Sequence, residues 1–540
     1  MVVARSDEER HDRDPVPPSQ AGLQRVDARL LNPQYAVTVD GVSPRSTVYV
    51  RSSLVVSRTD RAATVAMLDE VAASLGWQVT LDESHDGTRL TYAGRARARA
   101  HDSGAAVFGV SRLLISVLPN QAAASPDAWV LIQKARALKG VEALRGVGLD
   151  HVLSSSPVEV NPYHESNPYH ESNPYHESNP YHESNPADSG TPGPLATYAR
   201  PGSGGRQPVA YAGPMPFRRN DSQIRGRRPV VATVDTGCGA HPWLDRAVVT
   251  GLTLDDKPIG YVDPATDPEQ HGDLEGPLDG VLDLLAGHGT FIAGLVHQAC
   301  PDAVILPFRV VPSTGPVVES DWVDTLVKIA ELVRRHRDGE AGGYPIDVLS
   351  ISLGYYHETP EDALFDPTLA ELLRVIGECG TVVVCSAGNE ATTRPMFPAA
   401  FAPWVGAKGL FPETTNRVPV VSVGALNPNK TDALFSNTGR WVRAYRPGAA
   451  VMSTMPPLQG GLQPVATTEA FGRTRQAIDP DDYSGGFAVW SGTSFAAPLL
   501  AGEIADYLVG RLPPDGEAET RQRAVARGRR AVKHVAGIVP

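Results

Sequence analysis

Three short segments of the sequence carry side chains that can act together in nucleophilic catalysis. They supply a carboxylate at Asp235, an imidazole at His288 and a hydroxyl at Ser494, in that order along the chain. A serine hydroxyl is a weak nucleophile until an adjacent base accepts its proton, and the imidazole base needs a carboxylate to fix its tautomer. The three residue types therefore predict acyl transfer, with Ser494 as nucleophile, His288 as general base and Asp235 as the group that orients the imidazole.

Each of the three residues lies where a predicted strand or helix ends or begins. The apolar, β-branched run of residues 229–234 predicts a buried parallel strand, and Asp235 stands at its carboxyl end. His288 precedes an apolar helical pattern, and Ser494 opens a helix predicted over residues 495–509. Free backbone amides at a helix start favour negative charge on the serine oxygen. These positions predict a site at the carboxyl edge of a sheet.

A fourth and a fifth segment supply further groups that acyl transfer requires. Residues 381–385 predict a strand that runs into Ser-Ala-Gly-Asn, and the amide of Asn389 can donate to the oxyanion of a tetrahedral intermediate. Residues 348–354 predict another strand, which ends in Ser-Leu-Gly. Any one of the five segments alone would more often be an ordinary turn or helix cap, but their joint occurrence in this order is specific.

The five segments together resemble the subtilisin-like serine peptidases, or subtilases, over roughly residues 229–512. The resemblance implies a serine endopeptidase with a catalytic triad of Asp235, His288 and Ser494, and with Asn389 in the oxyanion hole. It also implies a set of residues that flanks the backbone and the first side-chain pocket of a protein or peptide substrate. These residues are Ser352, Leu353, Gly354, Ser386, Ala387, Gly388 and Met396.

Two positions bear on specificity. Tyr355 follows Ser-Leu-Gly where many subtilases have a second glycine, and its ring would crowd or cover the outer substrate subsites. Met396 precedes Phe-Pro-Ala where the family often has a glycine, so the first pocket should be shallow. The alternative function is a catalytically silent scaffold with the subtilase fold, which would recruit partners through its N-terminal unit and its repeats.

Strands and helices alternate through residues 229–512, which predicts an α/β fold with a doubly wound parallel sheet. Residues 34–154 predict a second unit, a small α+β domain with the ferredoxin-like order of strand, helix, strand, strand, helix, strand. Ser125 and Ser320 are predicted N-caps, one in each unit. The small domain resembles the prodomain that precedes many subtilase catalytic domains and guides folding before it inhibits. The rival interpretation is a generic ferredoxin-like binding module.

The segments outside these two units are predicted to be irregular. Residues 1–33 should be disordered, and residues 155–228 should form a low-complexity linker with four Asn-Pro-Tyr-His-Glu-Ser repeats. The repeats are interpreted as a spacer, with weak transition-metal binding or partner recognition as alternatives. Cleavage within residues 154–228 would release the peptidase. Residues 513–540 form a basic tail, either a short amphipathic helix or a disordered arm.

The stretch between Asp235 and His288 is acidic and longer than a minimal subtilase requires. It is interpreted as a solvated insertion, since clusters of charge are usually solvated faces. A surface lid and a calcium loop are the alternatives. The cluster consists of Asp255, Asp256, Asp263, Asp267 and Asp273.

Composition narrows the class of protein. The 540 residues carry a formal net charge of −12, which argues against a general nucleic-acid binder. No apolar stretch approaches the length of a membrane span, and residues 1–18 lack the apolar core of a secretory signal. Four cysteines in so long a chain predict reduced thiols. The sequence thus predicts a cytoplasmic enzyme that needs no cofactor for its chemistry, with structural calcium left open and its own N-terminal domain as an inhibitor.

Overall fold

The structure is a computed structural model. It describes residues 20–39, 44–57, 61–86, 109–153, 206–274, 278–312, 316–359, 368–403, 415–464 and 467–538. The predicted spacer of repeats, most of the predicted linker and residues 1–19 of the predicted disordered segment lie outside the described residues.

The N-terminal unit is an antiparallel sheet with helices on one face. Its helices are α1 (Gln20–Arg25), α2 (Arg61–Ala73), α3 (Glu83–Asp86) and α4 (Ala128–Lys139). Its strands are β1 (Ala28–Leu31), β2 (Thr47–Ser57), β3 (Trp77–Leu81), β4 (Val110–Val117) and β5 (Val147–Leu153). Leu68 of α2 and Trp129 of α4 pack on Leu54 of the central strand β2. The elements β2, α2, β3, β4, α4 and β5 follow the predicted order.

The N-cap of α4 differs from the predicted one. Asp127, not Ser125, accepts a hydrogen bond from the backbone N–H of Val130 at 3.1 Å. The same carboxylate accepts from the hydroxyl of Tyr49 at 3.0 Å and from the guanidinium of Arg29 at 2.5 Å. These tertiary contacts fix Asp127 at the helix start, and they involve residues too distant in sequence for a local pattern to indicate.

The remaining strands and helices build the catalytic unit. Its strands are β6 (Gln207–Pro208), β7 (Val230–Asp235), β8 (Thr253–Leu254), β9 (Lys257–Pro258), β10 (Val304–Arg309), β11 (Val317–Val318), β12 (Val348–Ile351), β13 (Val382–Ser386), β14 (Val421–Leu426), β15 (Ala444–Pro447), β16 (Val451–Thr454), β17 (Thr467–Ala470), β18 (Arg473–Gln476) and β19 (Phe487–Trp490). Its helices are α5 (His288–Ala299), α6 (Glu319–Asp338), α7 (Thr368–Glu378), α8 (Thr493–Leu508) and α9 (Arg521–Ala536).

The central sheet of this unit is parallel throughout, in the order β10-β7-β12-β13-β14-β15. Helices α5, α8 and α9 cover one face, and α6 and α7 cover the other. This is the predicted doubly wound α/β fold. The strand order reverses at β7, which lies between β10 and β12, and in open α/β sheets the crevice at such a reversal is the usual place for a site.

The boundaries of the two units differ from the predicted ones. Residues 20–31, predicted to be disordered, form α1 and β1, and β1 pairs with β2. Residues 206–228, predicted as linker, pack on the catalytic unit: β6 pairs with β19, and Arg227 forms a 2.6 Å ion pair with buried Asp347. The basic C-terminal segment forms the amphipathic helix α9, whose apolar face, with Val532, is buried beside α8. Burial and ion pairing organise these segments despite their polar composition.

The two units share a sheet edge. Strand β11 of the catalytic unit pairs with β5 of the N-terminal unit, and α6 begins directly after β11. The predicted N-cap Ser320 lies inside α6, whose N-cap residue is Val318. The backbone N–H of Ser320 donates instead to Asp150 of the N-terminal unit at 3.0 Å. The start of α6 is therefore capped by a side chain from the other unit, which local sequence could not indicate.

The four cysteines are free thiols, as predicted. Within the described ranges, the structure contains no helix with both the length and the apolar character that crossing a membrane requires.

Candidate active site

Asp235 and His288 form a direct hydrogen bond. Asp235 ends β7, and α5 begins at His288. The Nδ1 atom of His288 lies 2.7 Å from Oδ1 of Asp235, and both side chains are buried. The backbone N–H of Thr236 donates to the same carboxylate oxygen at 2.8 Å. Because a carboxylate accepts, Nδ1 carries the proton of the neutral ring, and Nε2 is the basic nitrogen.

The basic nitrogen of His288 is shielded from solvent. Nε2 is buried and has no hydrogen-bond partner among the described residues. The edge of the ring packs against Trp490 at a centroid distance of 5.5 Å and beside Phe495 at 5.2 Å. A buried basic nitrogen without a partner can accept a proton from a hydroxyl brought within reach.

Ser494 is the second residue of α8, directly after Thr493. Its Oγ donates to the carbonyl oxygen of Ser352 at 3.5 Å, and Ser352 Oγ donates to the carbonyl oxygen of Ser494 at 3.0 Å. These contacts join the start of α8 to the end of β12. The 3.5 Å contact is weak, so it does not commit the Ser494 hydroxyl to one partner.

Asn389 follows β13 and is held by the residue that precedes Ser494. Its Oδ1 accepts from the backbone N–H of Thr493 at 2.8 Å and from the Thr493 hydroxyl at 2.9 Å. Because a backbone N–H can only donate, the atom that meets it is the amide oxygen. The amide Nδ2 therefore faces the other way and lies near Gly492, where a Cβ would be 3.6 Å from it. The donor is thus oriented before any substrate arrives.

The residues predicted to flank the substrate lie together at the carboxyl ends of two adjacent strands. Ser352, Leu353 and Gly354 follow β12, and Ser386, Ala387 and Gly388 end or follow its neighbour β13. Met396 fills the space between them. A Cβ at Gly354 would lie 2.6 Å from its Cε, and one at Gly388 would lie 2.7 Å from its Sδ.

Tyr355 faces the N-terminal unit. Its ring stacks on His151 of β5 with centroids 4.5 Å apart, and its backbone pairs with Phe397. The side chain is buried in the interface between the units. Tyr355 is predicted to crowd or cover the outer substrate subsites. Its ring also contacts the N-terminal unit, which is docked beside the proposed subsites.

The buried carboxylate of Glu269 was not predicted. It lies in the acidic stretch between Asp235 and His288 that was interpreted as solvated, yet it is only 2% exposed. Its carboxylate contacts Thr236, which follows Asp235, and Gly289, which follows His288. Nothing local in the sequence separates Glu269 from the aspartates around it, since burial depends on the fold. Burial also raises the pKa of the Cys238 thiol, and Glu269 acts in the same direction. Both effects favour the protonated form of that thiol.

Comparisons with known proteins identify the family of the catalytic unit. Residues 226–527, more than half of the chain, match the subtilase family, Peptidase_S8. An intracellular serine protease of Paenibacillus polymyxa is 28% identical over 294 residues, which cover 53% of this chain and 68% of that protein. The major intracellular serine protease of Bacillus subtilis (strain 168) is 24% identical over 297 residues, covering 52% and 69%. The crystal structure of a cold adapted subtilisin-like serine proteinase has 20% identity and a TM-score of 0.34, with 58% of this chain and 85% of that one covered.

Proposed function

The chain belongs to the subtilase family and is a subtilisin-like serine endopeptidase, and we propose that it cleaves peptide bonds through an acyl-enzyme intermediate on Ser494. The observation that carries the proposal is the 2.7 Å contact between Asp235 and His288, which leaves Nε2 of His288 as a buried base. Ser494 stands at a helix start joined to the end of β12, beside the residues 352–354 that are proposed to flank the substrate backbone.

The proposed mechanism follows from these positions. Ser494 Oγ attacks the carbonyl carbon of the scissile bond while His288 Nε2 takes the hydroxyl proton. Asp235 holds the Nδ1 proton and stabilises the imidazolium that forms. The imidazolium then protonates the leaving amine, and the bond between the carbonyl carbon and that amine breaks. Water then attacks the acyl carbon while His288 Nε2 takes one of its protons. The bond between that carbon and Ser494 Oγ breaks, the carboxylic acid product leaves, and Oγ takes the proton back from His288.

The oxyanion needs donors that are in place before the reaction. The amide Nδ2 of Asn389 and the backbone N–H of Ser494 are the proposed donors. The two hydrogen bonds from Thr493 support the role of Asn389, because they fix the side chain at the start of α8. A donor that does not reorganise when charge develops stabilises the transition state more than the ground state.

We further propose that the N-terminal unit inhibits the peptidase by docking on it. Three kinds of contact support docking: the pairing of β5 with β11, the capping of α6 by Asp150, and the hydrogen bonds of Arg112 to Ser320 and Asp321, the latter at 2.6 Å. The capping carboxylate is fully buried. Asp150 also accepts from the Ser53 hydroxyl of its own unit at 3.0 Å, and Arg112 also pairs with Asp82. The catalytic unit adds further charge-assisted partners to both groups, which makes the contact specific.

The docked unit also contacts segment 355–359, which comes after the residues 352–354 that are proposed to flank the substrate backbone. The backbone N–H of Arg45 donates to the carbonyl oxygen of Glu358 at 2.7 Å, and Thr47 Oγ1 donates to that of Tyr356 at 2.5 Å. His151 contacts Tyr355 and Glu358. Segment 355–359 directly follows Gly354, so docking here would limit the space for an extended substrate.

We also propose that the enzyme works inside the cell. Two relatives named as intracellular serine proteases match its catalytic unit, and its four cysteines are free thiols. A reducing compartment keeps thiols in that state.

Hydrolysis of an internally quenched peptide library tests the proposed activity. The full chain should cut internal peptide bonds, and mass spectrometry of the products should place the cuts away from the peptide ends. Ser494→Ala should show no hydrolysis above background and should unfold at the same temperature as the unmodified chain. Comparable hydrolysis by both proteins would reject Ser494 as nucleophile. Inactivity of the unmodified chain and also of Asp150→Asn, in which the N-terminal unit should dock less tightly, would favour the catalytically silent scaffold.

A further inference from the structure

Glu269 is a buried carboxylate that lies behind the proposed triad. It belongs to the segment that joins β9 to α5 and is 2% exposed. A bend in that segment places it there: the backbone N–H of Glu269 donates to Asp267 Oδ1 at 3.0 Å. A carboxylate this deeply buried requires several donors to offset its lost hydration.

Four donors from two segments meet this carboxylate. Oε1 accepts from the Thr236 hydroxyl and from the backbone N–H of Gly289, the latter at 2.9 Å. Oε2 accepts from the Thr290 hydroxyl and from the backbone N–H of Thr290, the latter at 3.2 Å. Thr236 directly follows Asp235, and Gly289 and Thr290 directly follow His288. One carboxylate thus spans the two segments that carry the hydrogen-bonded pair.

We propose that Glu269 is a positioning residue of the peptidase, which fixes the Asp235–His288 hydrogen bond and whose negative charge favours the protonated imidazole. This role rests on the proposed function of the triad. Glu269 touches neither reacting group; it acts through Thr236, which donates to Asp235, and through the first turn of α5, which begins at His288.

The donor set suits a carboxylate and not an amide. Each oxygen accepts one backbone N–H from the first turn of α5, and a backbone N–H cannot reverse its role. A glutamine has only one oxygen and would leave at least one of these N–H groups facing its NH2. The start of a helix also favours a negative charge. A glutamine of nearly the same size would therefore weaken the tie and remove the charge.

The charged and titratable groups around Glu269 decide the sign of the effect on pH dependence. Asp235 ends β7, Cys238 and Asp267 lie on the adjoining loops, and Arg309 of β10 lies 3.8 Å from Asp267. Burial raises the pKa of the Glu269 carboxyl, Asp235 acts in the same direction, and the hydrogen bonds from Thr236 and Thr290 oppose both. An ionised Glu269 adds negative charge behind the Asp235–His288 pair, so its removal should change the acid limb of the rate–pH profile.

The rate at which a fluorophosphonate labels Ser494 in the full chain tests the proposal. Glu269→Gln should lower the maximal labelling rate by about 10- to 100-fold, as expected for a displaced catalytic base. The acid limb of the rate–pH profile should shift to lower pH. Glu269→Asp, which restores the charge on a shorter side chain, should return the acid limb toward its original position and leave the rate reduced. Glu331→Gln controls for loss of a buried, ion-paired carboxylate elsewhere, in α6, and should label at the original rate.

Each outcome is informative. Labelling of Glu269→Gln at the original rate and with the original profile would overturn the positioning role. A lower rate with an unchanged acid limb, matched by an equal loss of folded protein in circular dichroism, would show a purely structural role and would also overturn it. Absence of labelling in the unmodified chain would instead overturn the proposed function, and with it any role that depends on the triad.

Discussion

At the scale of single residues, the proposed role of Asn389 in the oxyanion hole requires a side chain that is oriented before negative charge develops on the substrate. Both hydrogen bonds to its Oδ1 come from Thr493, the residue before the proposed nucleophile. The Asn389 amide is thus fixed by Thr493, and the proposed nucleophile Ser494 is the next residue of α8. Such preorganisation matters in the transition state, when the carbonyl oxygen becomes negative.

Asn389→Ala should lower kcat by about two to three orders of magnitude, the range established in subtilisin for the loss of this kind of donor. The Michaelis constant should change little, because the hydrogen bond strengthens only as the oxyanion forms. Steady-state kinetics on one peptide substrate measures both constants. Asn427→Ala, at an exposed turn, is the matched control. An effect confined to the Michaelis constant would contradict the role.

Met396 should make the first pocket shallow. Its thioether lies between Gly354 and Gly388, so small or short aliphatic residues should be preferred on the acyl side of the cut, by about 1–3 kcal/mol over large aromatic ones. Met396→Gly should extend cleavage toward Phe and Leu. A peptide-library profile of both proteins provides the measurement. Strong preference of the unmodified enzyme for Phe or Tyr would show that Met396 does not limit the pocket.

Most of the candidate site residues could be predicted because they lie in short motifs at the end of a strand or the start of a helix. Glu269 could not, because its importance depends on burial and on donors from two distant segments. The roles of Thr493 and Tyr355 are similar cases. Thr493 acts by a side-chain contact across the crevice, and Tyr355 contacts His151, which lies about 200 positions earlier in the chain.

At the scale of elements, the start of α6 is where the two units depend on each other. Asp150 from β5 caps α6 by accepting from Ser320 N–H at 3.0 Å and from the Ser320 hydroxyl at 2.9 Å. The sequence predicts α6 and β5 individually, because each has a clear hydrophobic pattern. It does not predict their contact, because the capping side chain comes from 170 positions away.

Asp150→Asn should weaken docking and raise the peptidase activity of the full chain. The amide keeps the shape of the carboxylate but removes its charge, and losing a charge-assisted hydrogen bond costs about 1–3 kcal/mol. Cleavage of a quenched peptide gives the activity, and thermal unfolding shows whether the N-terminal unit stays folded. Lys139→Ala, which breaks the exposed ion pair with Glu70 on the same unit, should have no effect. Equal activity of Asp150→Asn and the unmodified chain would contradict inhibition through this contact.

Docking should also weaken at high pH. Burial lowers the pKa of His151, but the peptidase carboxylates Glu319 and Glu358 outweigh burial and raise it from 6.5 to about 10. The docked form holds this proton more tightly than the free form, so the contribution is complete below about pH 6.5 and is lost as pH rises through about 10.

The activity ratio of His151→Gln to the unmodified chain measures this dependence, because the pH dependence of the chemistry cancels in the ratio. The ratio should be greatest near neutral pH and should fall toward one by about pH 10, as the unmodified chain loses its own protonated contact. A ratio that does not change with pH would show that the charge of His151 does not hold the units together.

At the scale of the whole molecule, the fold brings one parallel sheet and one antiparallel sheet into contact beside the proposed active site. The alternation of strands and helices predicted both sheets correctly, since the hydrophobic spacing that marks a strand or a helix is a local property of the sequence. Their joining through β5 and β11 could not be predicted, and neither could the packing of residues 206–228 and of α9 on the catalytic unit. Residues 206–228 and α9 have the polar composition that is typical of linkers and tails.

Covalent labelling by a fluorophosphonate, followed by peptide mapping, tests the central claim most directly. Such a probe reacts only with a serine that an adjacent base has activated, so it reports on the triad without requiring the natural substrate. The account predicts one labelled serine, Ser494, at pH 7 to 9, and loss of labelling in Ser494→Ala and in His288→Ala. Labelling of another serine, or none in the unmodified chain at any pH in this range, would contradict it.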